Sequence, residues 1–260
     1  IPITRWGPVS GVSGMRTLLC VLLTSFSLPA FASETLGITG ASLEIEKVQD
    51  ENGDLRNAGR AIVDVAITRF HGFQGDLAYS GTGTGDVGTV AAHLYMTPQH
   101  GQKYGLFASL SDVDGRAMLY GSLGAEGMLS LGEDTVIEAR AGMGWADSNG
   151  LDYVFAGASL AHQLTPSLEL EVAVDFAEFD EVALTASAYD AGLKATYRPE
   201  GAPWSVYASA TQSGLTDHGS ETRLGLGISL SLGTLGGTDP HTRPFRTPDP
   251  VAALVRRGLW

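Results

Sequence analysis

The sequence predicts an all-β fold: a closed, up-and-down antiparallel transmembrane β-barrel of about twelve strands, or ten if a weak first segment drops out and two others merge. Three observations carry this. Hydrophobicity alternates with period two along most of the chain, the alternating segments run about ten residues, and their connections alternate between short turns and more acidic loops. Ten residues is the length a tilted strand needs to cross a bilayer.

Composition agrees. The 260 residues include 34 Gly and 11 Pro, with 43% apolar and 17% charged, which is unlike a helix-rich soluble enzyme. A mean hydropathy of +0.07 argues against a disordered chain. The net charge of −13 argues against a nucleic-acid partner, because phosphates would be repelled by most of the surface.

Residues 1–14 carry no usable pattern and read as an upstream extension rather than a native part of the protein. Residues 15–32 read as a secretory signal peptide: Met15-Arg16 gives a basic start, Leu18 to Pro29 a short apolar run, and Ala30-Phe31-Ala32 the small residues of a cleavage site. The apolar run, interrupted by Thr24, Ser25, Ser27 and Pro29, is too short for a spanning helix. The single cysteine, Cys20, falls inside the signal, so the exported chain has no disulfide, thiol nucleophile or cysteine metal site.

The barrel is assigned to residues 33–233, with strand centres near Leu43, Val65, Leu77, Ala92, Ala108, Leu123, Ala141, Ala158, Val172, Leu193, Ala208 and Ile228. In one segment Leu168, Leu170, Val172, Val174 and Phe176 alternate with Glu169, Glu171, Ala173 and Asp175. In another, Leu224, Leu226, Ile228, Leu230 and Leu232 alternate with Arg223, Gly225, Gly227, Ser229 and Ser231. Short turns are expected at His71-Gly72, 97–102, 132–134, 163–166 and 199–203, and acidic loops at 49–58, 82–86, 112–116, 147–152, 178–181 and 215–221. Phe70, Phe73, Tyr104, Tyr197 and Trp204 cluster beside the turns, and Tyr79, Trp145, Phe176 and Tyr189 beside the loops, as two interfacial girdles require. A soluble sandwich with core aromatics gives the same alternation with the faces exchanged. Residues 234–260, with Pro240, Pro244, Pro248 and Pro250 among Arg243, Arg246, Arg256 and Arg257, read as a periplasmic, largely disordered tail.

Over about Leu36 to Gly233 the chain resembles the small porin-like outer-membrane β-barrel proteins of Gram-negative bacteria, by pattern rather than by a sharp motif. The resemblance implies export to the bacterial outer membrane, insertion by the barrel-assembly machinery, and contact with outer-membrane lipid and lipopolysaccharide. It departs from the family at its end: Leu230 to Gly233 is followed by 27 further residues, whereas such chains usually close on an aromatic-ended strand.

The inward set then bears on function. Glu138, Arg140, Glu169, Glu171, Asp175, Asp190, Lys194, Arg198 and Arg223 are expected to line the lumen. Paired, they are structural; unpaired, the carboxylate excess would favour cations at a pore mouth. The expected function is passive diffusion of small hydrophilic solutes with weak cation preference, the alternative being a non-conducting structural or surface-interaction barrel with a plugged lumen. A homo-oligomer is left open. No enzyme, cofactor or metal site is expected. Gly83 to Gly88 matches a dinucleotide fingerprint by letter but precedes a strand pattern, not a helix. The acidic runs at Asp50 and Asp112 lack the spacing of a calcium loop. His218 beside Ser220 lacks a nucleophile elbow, and His93 and His162 stand alone on strands without metal spacing.

Overall fold

The alternation resolves into twelve antiparallel strands in a computed structural model that describes residues 37–115, 119–147, 151–180 and 185–258. The upstream extension and signal peptide lie outside the described residues. The strands are β1 (Ile38–Gln49), β2 (Leu55–Ala66), β3 (His71–Ser80), β4 (Val87–Met96), β5 (Gln102–Val113) and β6 (Leu119–Ser130). They continue as β7 (Thr135–Ala146), β8 (Asp152–Thr165), β9 (Leu168–Asp180), β10 (Thr185–Tyr197), β11 (Trp204–Leu215) and β12 (Ser220–Gly233). Each pairs with its sequence neighbours, and β1 closes on β12 through a register running from Gly40 opposite Gly233 to Gln49 opposite Leu224. Closure leaves no free sheet edge. The first segment is therefore a full strand, and the ten-strand alternative is excluded.

Boundaries move at some connections. His71-Gly72 belongs to β3, and the turn before it is 67–70, where the Ile67 and Thr68 amides donate to the His71 carbonyl. The loop expected at 49–58 is shorter, because β2 already begins at Leu55.

The apolar set faces outward. Leu224, Leu226, Ile228, Leu230 and Leu232 are all exposed, Leu226 at 69%, as are Val172, Val174, Phe176, Met143 and Leu193. All nine girdle aromatics are exposed as well. A continuous greasy exterior of this kind needs lipid, so the sandwich alternative fails. Leu226 sits at mid-strand on β12. Leu226→Arg is expected to cost about 2–4 kcal/mol of folding stability in vesicles, read by urea unfolding; a change near zero would mean that this face does not meet the bilayer core.

Some interior tyrosines lie flat on glycines of the adjoining strand. A Cβ on Gly144 would meet the Tyr153 ring at 2.2 Å, and one on Gly227 the Tyr207 ring at 2.3 Å. Close backbone approach of this sort accounts for part of the glycine content.

The tail is the main correction. Residues 234–258 are neither disordered nor outside the barrel. They thread the lumen. The segment leaves β12 at the turn end, where Thr238 Oγ1 donates to the Glu133 carbonyl in the β6–β7 turn and His241 Nε2 lies 3.2 Å from the Gln99 carbonyl oxygen in the β4–β5 turn. It finishes at the loop end, where Thr84 Oγ1 bonds the Val255 carbonyl and Arg257 Nη2 donates to the Gly219 carbonyl at 3.2 Å. Its last part forms a short helix, α1 (Ala252–Arg256), whose Ala252, Ala253, Leu254 and Val255 are buried. The composition read as solvent-seeking is matched here by wall carboxylates, which the tail's own sequence does not reveal. The prolines also fit the interior, since each removes an N–H that would otherwise need a buried partner.

Candidate functional site

Twelve strands enclose more space than wall side chains fill, whereas eight enclose just enough for them. In this barrel the segment 234–258 takes up much of the remainder, and the site is the seam between segment and wall. Three arginines of the segment face wall carboxylates. Arg243 meets Glu169 at 3.0 Å and Glu171 at 2.6 Å, both on β9. Arg246 meets Asp175 of β9 at 3.1 Å and Glu138 of β7 at 3.7 Å. Arg256 meets Asp190 of β10 at 3.0 Å and Glu221 of β12 at 2.7 Å. Alternation places these carboxylates on the inner face, and planar guanidinium forks suit such paired acceptors.

The other wall charges complete the seam. Arg140 donates to Asp175 Oδ1 at 2.8 Å and to the Arg246 carbonyl at 3.0 Å. Lys194 lies 3.6 Å from Glu44 and 4.0 Å above the Tyr207 ring. Arg223 reaches Glu221 at 3.5 Å and Asp190 at 4.0 Å. The Arg198 guanidinium packs against Gly236, where a Cβ would meet Nη1 at 3.0 Å. Of the nine residues expected in the lumen, Glu138, Glu169, Glu171, Asp175 and Asp190 thus meet arginines of the segment, Arg140 and Arg198 reach its backbone, and Lys194 and Arg223 lie against wall carboxylates.

A second cluster, on β2 to β6, was not anticipated. Phe245, wholly buried, stacks on His93 with ring centroids 5.8 Å apart and meets Tyr95 edge-on at 6.2 Å. Lys103 Nζ lies 4.7 Å over the Phe245 ring, 4.0 Å over Tyr95, and donates to the Arg243 carbonyl at 3.0 Å. Gln74 serves the Phe245 backbone twice: its Oε1 accepts from the amide at 2.8 Å and its Nε2 donates to the carbonyl at 2.9 Å. That arrangement copies a strand pairing with one side chain. His93 Nδ1 is 2.7 Å from Glu126 Oε1, and Nε2 is 3.6 Å from Asp76 Oδ2. Asp76 in turn accepts from Arg60 at 3.1 Å and from Thr247 of the segment at 2.5 Å. The signal was the phase of Gln74 and Asp76 against Phe73 and Leu77; in β4 both faces carry apolar residues, so His93 had no visible side.

Towards the loop end the seam is apolar. Val251, Ala253, Leu254 and Val255 pack with Val87, Phe107, Tyr153, Phe155 and Phe179 of the wall. The interior is therefore not uniformly watery, contrary to the expectation from charge alone. Open space remains among the described residues, including cavities of about 360 Å³ and about 100 Å³, the larger bordered by Arg60, Arg140, Asp175, Lys194 and Arg223.

The other motifs do not carry the chemistry their letters suggest. Gly83 to Gly88 touches the segment through Thr84 and Val87 but leads into β4 with no helix following, while His218 Nδ1 lies 2.9 Å from the Thr216 carbonyl oxygen in an exposed loop. His162 pairs with Thr135 at 2.8 Å.

No protein-family profile and no curated protein sequence matches the chain. Solved structures do. The NanC porin superposes with a TM-score of 0.59 at 8% identity, covering 72% of this chain and 98% of its own. The outer membrane channel COG4313 from Pseudomonas putida F1 gives 0.56 at 14% identity over 78% and 98%, and the KdgM porin 0.52 at 9% over 73% and 98%. At such identities the likeness is one of fold. The chain has the fold of the porin-like outer-membrane β-barrels: closed, twelve-stranded, and apolar on its outer face.

Proposed function

We propose that this barrel is a channel for passive diffusion of small hydrophilic solutes, closed in the described conformation by its own segment 234–258. When the segment shifts, the pore prefers cations weakly. The observation that carries the reading is the origin of the countercharges: the carboxylates Glu169, Glu171, Glu138, Asp175 and Asp190 are matched largely by Arg243, Arg246 and Arg256. A wall built only to be filled would be expected to pair its charges within itself. One whose partners sit on a separable segment is tolerable in two states, paired with the arginines or hydrated by an open pore. Insertion by the barrel-assembly machinery and contact with lipopolysaccharide belong to the same reading, which assigns no covalent chemistry.

The second reading, a permanently plugged structural barrel, is favoured by the complete burial of Phe245 and Leu254. The purified full chain in a planar bilayer separates the two. Intermittent conductance steps with cation preference are expected, while silence at all voltages supports the permanent plug.

A further inference from the structure

We propose a transition-metal site of the zinc class at the turn end of the barrel, formed by His100, Asp239 and His241. One ligand atom from each lies within 4.8 Å of the others. His100 belongs to the β4–β5 turn, shaped by Gly101 at φ +77°, whereas Asp239 and His241 belong to the segment just beyond β12. The site therefore joins wall to segment across 141 residues of sequence.

Two imidazoles with one carboxylate are a donor set suited to Zn²⁺, with a water in the fourth position, and also to Cu²⁺ or Ni²⁺. Several features prepare it. The His100 and His241 rings already lie nearly parallel, 5.8 Å apart at 17°. Asp239 Oδ1 accepts from the His241 backbone amide at 3.0 Å, which fixes the carboxylate beside that histidine. His241 Nε2 faces the Gln99 carbonyl oxygen at 3.2 Å, so this nitrogen carries the proton and Nδ1 keeps a lone pair. Metal-bound histidines are commonly oriented by a carbonyl in this way. Zinc–nitrogen bonds of about 2.0–2.1 Å need the donors to close up by an ångström or so. His100 and His241 are exposed, leaving their side chains room to turn. Without a metal, two stacked exposed imidazoles gain little and would repel one another if both were protonated.

Bound metal would fasten the segment where it enters the lumen. The site does not depend on whether the barrel conducts, so the test leaves conduction aside. Full-length chain without a histidine tag, folded in detergent, is titrated with Zn²⁺ by calorimetry. One saturable site per barrel is expected, weakened more than about tenfold in both H100A and H241A, since even outer partners of a metal site cost that much. H218A, at the opposite end, should bind like the unaltered chain. Cu²⁺ loaded in place of Zn²⁺ should show electron paramagnetic hyperfine splitting from two imidazole nitrogens. Absence of a saturable site, or unchanged affinity in either His100→Ala or His241→Ala, overturns the proposal.

Discussion

Removal of residues 234–260 is expected to turn an intermittently conducting barrel into a steadily open, more strongly cation-selective one. The truncation takes away Arg243, Arg246 and Arg256 together with the apolar plug around Leu254, and leaves Glu138, Glu169, Glu171, Asp175, Asp190 and Glu221 on the wall. Arg60, Lys103, Arg140, Lys194, Arg198 and Arg223 remain on the wall, but Glu44, Asp64, Asp76 and Glu126 remain with those carboxylates, so negative charge is in excess. Reversal potentials across a salt gradient should therefore move towards the cation. The preference should be larger at 0.1 M salt, where screening extends over about 10 Å, than at 1 M, where it extends over about 3 Å. Heat-modifiable migration in detergent gels verifies that the truncated barrel still folds. Should truncation impair folding, the double variant R243E/R246E retains the whole chain and sets carboxylates of the segment against Glu169, Glu171 and Glu138, so it should open the pore by repulsion. A folded variant whose conductance and selectivity match those of the full chain would overturn the proposed closure.

The lipid face was legible in sequence because one physical demand writes it repeatedly. Every second residue of β9 and β12 must meet acyl chains, so Val172, Val174, Leu224, Leu226 and Ile228 repeat with period two, and their outward phase follows once a signal for export is read beside them. The inner face obeys no single demand. Its residues satisfy one another across the lumen, as with Gln74 and Phe245, 171 positions apart, or Arg243 and Glu169, 74 apart. Alternation can say that Glu169 turns inward, but not what meets it there. The tail's own composition misleads for the same reason: proline and arginine signal a hydrated segment when considered alone, and only the facing carboxylates make them interior residues. Nor could a search for local metal spacing find His100 and His241, which approach one another through the path of the segment.

Phe245 concentrates much of what holds that segment, which makes it the sharpest single test. Its ring is wholly buried between His93, Tyr95 and the Lys103 ammonium, and truncating such a side chain to alanine costs about 3–5 kcal/mol in a well-packed interior. Here the loss falls on docking of the segment rather than on the barrel, because the strand ladders and the lipid-facing belt do not involve residue 245. Since 1.4 kcal/mol is about tenfold in an equilibrium, Phe245→Ala is expected to raise the open population more than about a hundredfold. The segment should become open to protease while gel migration stays that of a folded barrel. Phe245→Leu, which keeps most of the apolar volume, should give a much smaller effect. If Phe245→Ala leaves protease protection and conductance unchanged, the segment is held by the arginine pairs and the apolar packing around Leu254 without residue 245; loss of the folded migration together with closure would instead make residue 245 part of the barrel's own core.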